Sequence, residues 1–453
     1  MYSPMEPQIV LSRNTKSSTE EQRDAVGLLS IGTFLEYFDL MLYVHMAVLL
    51  NELFFPKTDP HTASLLAAFS FCSTYVFRPI GALVFGYIGD TFGRKATVII
   101  TTLFMSFSCI IIANLPTYAE IGISAAWIVT ICRVVQGMSS MGEVTGAQLY
   151  CCETMKPPIK YSAVAMLSFF AATGASGAIG MASLVTAYGI NWRLAFWVGA
   201  LIAIVGSVAR TKLRETPEFI DAKRRILNTF EKFNIDKEYF KKSLILKEKT
   251  NARTALAIFL MDCMWPLCFY FSYIYCSNIL KTLGASSAQI IQHNFIVSIF
   301  QILKYAILIF LSHKIYPLFI LKIKWLITFA LFIIAPYWLS HLKTEFSLLV
   351  LQSAVIFFAC DSAPSTAIFY KYIPVFKRFT AVTFLYALSR ALTYVITSFS
   401  FVYLTKYFGY SGILVIMLPM FIGFFYSLRY FQNLEFHSGS IPNKNIIFNT
   451  RII

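Results

Sequence analysis

The stretch Gly86-Tyr-Ile-Gly-Asp90-Thr-Phe-Gly93-Arg94-Lys95 places charged residues and glycines in a short turn between two long apolar segments. In a soluble protein such a stretch would be an ordinary solvated turn. Here the whole chain is 57% hydrophobic and only 13% charged, whereas an average globular protein is roughly 45–50% apolar and about 25% charged. The composition therefore predicts a protein that crosses a membrane several times.

About twelve apolar stretches are long enough to cross a bilayer as helices, since one crossing needs about 20 residues. They lack the strand-like alternation of an outer-membrane barrel. We therefore predict an all-α polytopic membrane protein with twelve transmembrane helices. The predicted spans are 26–50, 62–86, 96–114, 122–146, 162–187, 193–211, 254–279, 288–311, 318–340, 346–370, 380–404 and 411–431.

A segment dense in charge divides the chain almost in half. The apolar residues within this linker favour either an amphipathic helix on the membrane surface or a plain tether. Two pseudo-repeated six-helix bundles would place a substrate site between them at mid-membrane. The predicted parts are an N-terminal tail (1–25), a first bundle (26–211), a charged linker (212–253), a second bundle (254–431) and a C-terminal tail (432–453).

The orientation follows from the Lys and Arg residues, because cytoplasmic loops carry the excess of both. If both termini lie on one side, that side collects most of them, including Lys322 and Lys324 near the start of the predicted span 318–340. The opposite side then has only Lys57, Arg193, Lys281, Lys343 and Lys406. Both termini are therefore predicted to be cytoplasmic, and the first 25 residues lack the apolar region of a cleavable signal peptide.

Several motifs, in a fixed order, carry a family resemblance. They are Gly32–Asp39, Arg78–Gly81, Gly86–Lys95, Leu115–Tyr118, Arg133–Gly137 and Leu213–Phe219. With these motifs the chain resembles transporters of the major facilitator superfamily, specifically the metabolite:proton symporter branch. The resemblance implies proton-coupled uptake of compatible solutes such as proline and betaine, or of carboxylates such as 2-oxoglutarate and citrate. It also implies that Gly86, Asp90, Gly93, Arg94 and Lys95 form a latch that favours the outward-open state.

The first predicted helix carries two acids on one face. Gly32, Glu36, Asp39 and Tyr43 follow a spacing of four, three and four residues, which aligns them along a helix. An ionised carboxylate facing lipid costs at least about 2.5 kcal/mol. We therefore expect this face to point into the bundle, with Glu36 or Asp39 carrying the coupled proton or binding a cationic group of the substrate. Fixed salt bridges to Arg78 or Arg133 are the alternative.

Two intramembrane arginines complete the predicted site of the first half. Arg78 directly precedes Pro79 inside a predicted helix, and its charge cannot be lost at ordinary pH, so it needs an acidic partner or an anionic substrate. Arg133 lies on one helical face with Glu143, and the resemblance ties this region to proton transfer. A structural pair of Arg133 with Glu143 or Asp39 stays open. The predicted coupling and substrate residues are Glu36, Tyr37, Asp39, Arg78, Arg133 and Glu143.

The second half contains other intramembrane polar residues. Those that could line a cavity are Asp262, Asn294, Gln301, Lys304, Asp361 and Arg390. The simplest interpretation of Asp361 is that it forms an ion pair with Lys304 or Arg390. Where a second glycine-spaced loop would be expected, the chain has His313 and lacks the Gly-Arg pair, which predicts that the latch resides in the first half alone.

The remaining patterns exclude several function classes. No nucleophile, metal or P-loop motif is present, so we predict neither an enzyme nor a metal or cofactor site. The net charge of +15 is interpreted as contact with anionic lipid rather than with nucleic acid. The predicted partners are the lipid bilayer, a proton and a small-molecule substrate, for a monomer in a bacterial inner membrane. A transport-inactive sensor or scaffold is the alternative from another class.

Overall fold

The computed structural model describes residues 14–56, 72–92, 94–189, 191–210, 250–342 and 344–440. These ranges are helical and contain no β-strand. In the first half, the helices are α1 (Asn14–Phe54), α2 (Arg78–Thr91), α3 (Arg94–Asn114), α4 (Tyr118–Ile121), α5 (Ile123–Thr154), α6 (Ile159–Tyr188) and α7 (Trp192–Arg210). In the second half, they are α8 (Ala252–Phe269), α9 (Cys276–Thr282), α10 (Ser287–Lys314), α11 (Pro317–Ser340), α12 (Glu345–Phe358), α13 (Thr366–Tyr370), α14 (Val375–Phe408) and α15 (Gly412–His437).

Among the described residues, seven helical stretches are long and apolar enough to cross a membrane. They are Arg23–Met46, Ile123–Thr154, Ile159–Tyr188, Ala252–Thr282, Ala288–Lys314, Pro317–Ser340 and Lys377–His437. Ile99–Asn114 and Glu345–Phe358 are shorter apolar helices. For the described residues, the prediction of an all-helical fold with membrane-spanning helices is confirmed, while the number twelve and the division into two bundles stay predictions. The predicted linker lies almost entirely outside the described residues, and so does the motif Leu213–Phe219.

Local sequence explains where several helices begin. The Thr117 side chain and Glu120 form a capping box at the start of α4, in which Glu120 Oε2 accepts from the Thr117 backbone N–H at 2.7 Å. Ser286 and Gln289 form the same arrangement at the start of α10. Such boxes satisfy backbone donors that a helix start leaves without partners.

The polypeptide is not helical throughout the predicted spans. A turn at Phe77 separates the helical residues 72–76 from α2, which has Pro79 in its first turn. Proline there costs no hydrogen bond, so Arg78 stands at a helix start rather than in the interior that we predicted. The prediction of one helix over 346–370 is also wrong for residues 359–365, which connect α12 to α13 without helix.

A second irregularity follows α8. The helix contains Pro266 and continues as a π-helix over Tyr270–Tyr275 before α9 begins. Proline removes a backbone donor within a helix, and π-helical turns are frequent at functional sites. Irregular backbone within a membrane is tolerated where it is buried in protein or lines a cavity, and both irregular segments of the second half meet one of these conditions.

Helices of the two halves pack closely against each other. From α6, the Ser162 hydroxyl donates to the Ile309 carbonyl of α10 at 3.2 Å. In α2, a Cβ added at Gly86 would lie 2.8 Å from Thr380 Cα of α14. Glycine is therefore required at this approach of the two helices. The small residues of α6 also serve packing within the first half, where Gly174 touches the backbone carbonyl of Phe34.

Candidate functional site

A cavity of about 90 Å³ lies between the two halves of the chain. One water molecule needs about 10–15 Å³ of such volume, so the cavity has room for several. Polar side chains from both halves face it. They include Tyr37, Tyr75, Arg78 and Gln148 from the first half, and Asp262, Gln301, Tyr305, Asp361, Tyr386, Arg390 and Tyr394 from the second.

The structure brings half of the predicted coupling, substrate and cavity residues to this wall. Those lining it are Tyr37, Arg78, Asp262, Gln301, Asp361 and Arg390. Glu36, Asp39, Arg133, Asn294 and Lys304 are buried but do not line the cavity. Gly93 and the side chains of Arg94, Lys95 and Glu143 lie outside the described residues.

Arg78 is a buried cation whose N–H groups are only partly used. It is 3% exposed, and its guanidinium lies 4.2 Å from the centre of the Tyr75 ring. Within the described part of the chain, its Nε and Nη2 have no hydrogen-bond partner. A buried donor without a partner costs about 1–3 kcal/mol. The guanidinium is therefore prepared to bind an acceptor that enters the cavity.

Arg390 presents a second guanidinium from the opposite half. It lies 3.2 Å from the centre of the Tyr386 ring, and its Nη1 donates to the Ser389 hydroxyl at 3.2 Å. The carboxyl group of Asp262 is within electrostatic reach of Arg390, yet Asp262 Oδ2 has no hydrogen bond among the described residues. The second-half wall therefore offers both a cation and an acceptor.

Tyrosines join the two halves around these arginines. The hydroxyls of Tyr37 and Tyr386 are 3.3 Å apart, and the ring centres of Tyr75 and Tyr394 are 4.3 Å apart. We did not predict Tyr75, Tyr386 or Tyr394 as site residues. A signal was present, because Tyr386, Arg390 and Tyr394 follow one another every four residues and so share a helical face.

The acidic face of α1 points away from the cavity. Glu36 and Asp39 are buried, as predicted, but the cavity is lined by Thr33, Tyr37 and other residues of the neighbouring face. Asp39 is 0% exposed and lies beside the Cys109 thiol. Neither of its carboxylate oxygens has a well-formed hydrogen bond to a described residue.

A short polar chain runs from Arg133 towards Asp39. Arg133 lies 4.0 Å from the centre of the Tyr43 ring, and its Nη1 donates to Gln136 Oε1 at 3.1 Å. The Gln136 amide donates in turn to Cys109 Sγ at 3.4 Å. A direct ion pair between Arg133 and Asp39, one of our alternatives, is not formed.

Asp361 is surrounded by donors. Oδ2 accepts from Lys304 Nζ at 2.7 Å and from the Tyr305 hydroxyl at 3.0 Å, while Oδ1 accepts from Lys324 Nζ at 2.8 Å. The predicted pair with Lys304 is confirmed. Lys324, which we did not predict as a site residue, is buried in α11.

Two further predicted cavity residues, Asn294 and Gln301, occupy different positions. Gln301 faces the cavity and accepts from the Tyr273 hydroxyl at 3.2 Å, whereas Asn294 donates to Ser277 at 2.9 Å. Trp265 also lines the cavity. Across the described ranges, no group of three or more His, Cys, Asp or Glu side chains could hold a metal ion.

Asp90, in the last turn of α2, connects the first half to α14. Its Oδ2 accepts from the backbone N–H and the hydroxyl of Thr380 at 2.9 and 2.7 Å, and its Oδ1 accepts from the Phe379 N–H at 3.3 Å. Near it, Arg378 of α14 forms a salt bridge of 3.1 Å with Glu153 of α5. Two contacts therefore hold the start of α14 against the first half.

The corresponding region of the second half is held by different residues. Tyr316 follows His313, near which a second glycine-spaced loop was expected, and it donates to Glu435 at 2.5 Å. Tyr372 donates to the same carboxylate at 2.7 Å, and Lys371 forms an ion pair with it. Burial and the bond to Glu435 raise the pKa of Tyr372 to about 12.

Proteins of similar sequence match part of this chain, and solved structures of similar fold match nearly all of it. A proline/betaine transporter of Salmonella typhimurium is 33% identical over 204 residues, which are 44% of this chain and 41% of that protein. An inner membrane metabolite transport protein of Escherichia coli is 37% identical over 200 residues, 42% of this chain and 45% of that protein. The chain thus matches less than half the length of either relative.

Among solved structures, a proton:xylose symporter superposes with a TM-score of 0.71 and 16% identity, covering 92% of this chain and 96% of that one. This likeness supports the fold. The sequence profile of the Major Facilitator Superfamily matches residues 29–367. Since the match covers most of the 453 residues, the chain belongs to the Major Facilitator Superfamily.

Proposed function

We propose that this protein is a secondary active transporter that carries a small polar metabolite together with protons by alternating access. The observation that carries the proposal is the cavity between the halves, into which Arg78 and Arg390 project from opposite sides. A ligand bound by both arginines would contact both halves at once. Its binding would therefore depend on how the halves are arranged, as alternating access requires.

The lining favours a zwitterion as the substrate. The arginines supply charged donors for a carboxylate, while Asp262 and the rings of Trp265 and Tyr273 supply an acceptor and aromatic faces for an ammonium group. Proline and betaine have this combination of groups, and a relative is named for them. A carboxylate such as 2-oxoglutarate is the second candidate, favoured by the presence of two arginines on the wall.

The proton is carried, in this proposal, by the acidic face of α1. The carboxylate of Asp39 is buried without a well-formed hydrogen bond, which disfavours its ionised form. The chain of Gln136 and Cys109 links it to Arg133. Protonation of Asp39, with Glu36 as its neighbour one helical turn away, would change the charge of this region during each cycle.

The end of α2 around Asp90 serves, in this proposal, as a conformational latch. Its bonds to Phe379 and Thr380 tie α2 to α14, so the halves cannot separate at this end without breaking them. With the predicted orientation, in which both termini are cytoplasmic in a bacterial inner membrane, the latch closes the cytoplasmic end. It would therefore favour the outward-open state.

Uptake into proteoliposomes tests the function. The purified full chain is reconstituted, and labelled proline, glycine betaine and 2-oxoglutarate are offered with an inward proton gradient, without one, and after collapse by a protonophore. We expect accumulation of at least one substrate only under the gradient. Uptake that ignores the gradient would contradict symport, and no uptake of any of them would favour a sensor.

A further inference from the structure

The second half contains a buried cluster whose charges do not balance. One carboxylate, Asp361, is bonded to the ammonium groups of Lys304 and Lys324, one at each oxygen. All three residues are less than 10% exposed. With every group ionised the cluster has a surplus charge of +1. Taking an uncompensated charge out of water is strongly unfavourable.

The surroundings offer no second anion within the described part of the chain. The titratable neighbours of the cluster are Tyr305, Cys268 and Cys360, with Tyr37 and Tyr386 beyond Tyr305. These side chains are neutral in their ordinary forms. The other acid that lines the cavity, Asp262, lies beside Ser362 and within reach of Arg390, so Arg390 already opposes its charge.

Loss of one proton would remove the surplus. We propose that Lys304, Asp361 and Lys324 form a second proton-binding site, which exchanges one proton with water in the cavity during transport. In this step one lysine N–H bond breaks, the proton passes to a water molecule, and the lysine keeps the electron pair as a neutral amine. The carboxylate and the other ammonium then form a neutral pair. Because the groups are coupled, the proton belongs to the cluster as a whole.

The position of the cluster gives the proton a route. Asp361 belongs to the non-helical segment 359–365 and lines the cavity together with Ser362 and Ala363. Water in the cavity therefore reaches the carboxylate that holds both lysines. The role in coupling rests on the proposed transport function, but the binding of a proton does not.

The fluorescence of Trp265 can report the protonation state of the cluster. Its ring centre lies 4.4 Å from Lys304 Nζ, so a change in the charge of the cluster alters the field on the indole. We would titrate the tryptophan emission of the purified full chain in detergent from about pH 5 to pH 9, a range in which an isolated lysine stays charged. We expect a one-proton transition that Trp265→Phe removes. The absence of a transition, or its survival in Trp265→Phe, would overturn the proposal.

Two further variants test whether the cluster of Lys304, Asp361 and Lys324 is the group that releases the proton. Lys324→Met leaves a neutral ion pair, and the double change Lys304→Arg with Lys324→Arg keeps both ion pairs but cannot release a proton. We expect the transition to vanish in both, whereas Lys281→Arg, at an exposed position, retains it. A transition that persists in Lys324→Met would overturn the proposal. That variant alone decides the question if the double variant does not fold.

Transport assays distinguish a failure of the proton-binding cluster from a failure of the proposed transport function. In proteoliposomes we expect Lys324→Met to lower gradient-driven accumulation of proline by about tenfold per pH unit, because one coupled proton is lost. Unchanged accumulation would contradict the coupling role. If the unaltered protein moves none of proline, glycine betaine and 2-oxoglutarate, the proposed function fails, while the fluorescence titration still decides whether the cluster binds a proton.

Discussion

Asp39 and Asp361 are both buried aspartates, one in each half of the chain, and their surroundings differ sharply. Asp361 accepts hydrogen bonds from two lysines and a tyrosine. Asp39 has only the Cys109 thiol beside it, without a well-formed hydrogen bond to either oxygen among the described residues. The same contrast holds for cations, because Lys304 and Lys324 are paired while Arg78 has N–H groups to spare.

The contrast separates two uses of buried charge. Removing Asp361 would leave two buried lysines without their carboxylate, so this carboxylate supports the fold as well as the proposed proton exchange. Asp39 and Arg78 have fewer bonded partners, so removing either side chain should leave fewer buried groups uncompensated and cost less stability. Such residues are expected where binding or proton exchange supplies the missing partner.

The largest effect should come from Asp361→Asn. Two buried ammonium groups would lose their carboxylate, and breaking a buried ion pair costs about 3–5 kcal/mol of unfolding free energy. We expect a large drop in the yield of folded protein and in its melting temperature in detergent. Asp39→Asn is the matched control, with no loss expected. Equal melting temperatures for the two variants would remove the contrast between the aspartates.

Arg78→Gln should act on binding rather than on stability. Hydrogen bonds to charged groups are worth about 1.5–3 kcal/mol, so we expect the KM for substrate to rise by about 10- to 100-fold. Arg193→Gln is the control, because Arg193 donates to the Leu115 carbonyl outside the cavity. A melting temperature that falls as far as in Asp361→Asn would show that Arg78 is a structural residue.

Asp39→Asn should remove one coupled proton from the transport cycle. Each coupled proton supports about tenfold accumulation per pH unit, or about 1.4 kcal/mol. We expect this variant to exchange labelled for unlabelled substrate while its gradient-driven accumulation falls by that factor. Glu36→Gln, measured in parallel, shows which acid of the face carries the proton. Full accumulation in both variants would leave the first half without a coupling acid.

The sequence predicted the positions of these residues with unequal success. Helical spacing placed Glu36 and Asp39 on one buried face, because relative angles along a helix depend only on spacing. The absolute rotation of α1 depends on packing, so spacing alone did not show that Tyr37 rather than the acids faces the cavity. Lys324 was missed as a site residue because its position near a span edge does not show where a long side chain reaches. The break at 359–365 interrupts a mostly apolar run, in which Pro364 was the available signal.

The segment Gly86–Lys95 was predictable as the place where one helix ends and the next begins, because its glycines and charges form a local pattern. Its position against Phe379 and Thr380, however, is a contact between residues almost 300 positions apart, which spacing cannot anticipate.

Asp90→Asn should give the smallest change. The amide keeps one acceptor oxygen but turns a donor towards the N–H groups of Phe379 and Thr380, weakening the contact by about 0.5–1 kcal/mol. If this contact holds one arrangement of the halves, we expect uptake to slow by about two- to fivefold with the melting temperature nearly unchanged. Thr380→Val, which removes only the hydroxyl donor at 2.7 Å, should have a smaller effect. Unchanged uptake kinetics in Asp90→Asn would contradict the latch and leave the Arg378–Glu153 bridge as the contact to test at this end.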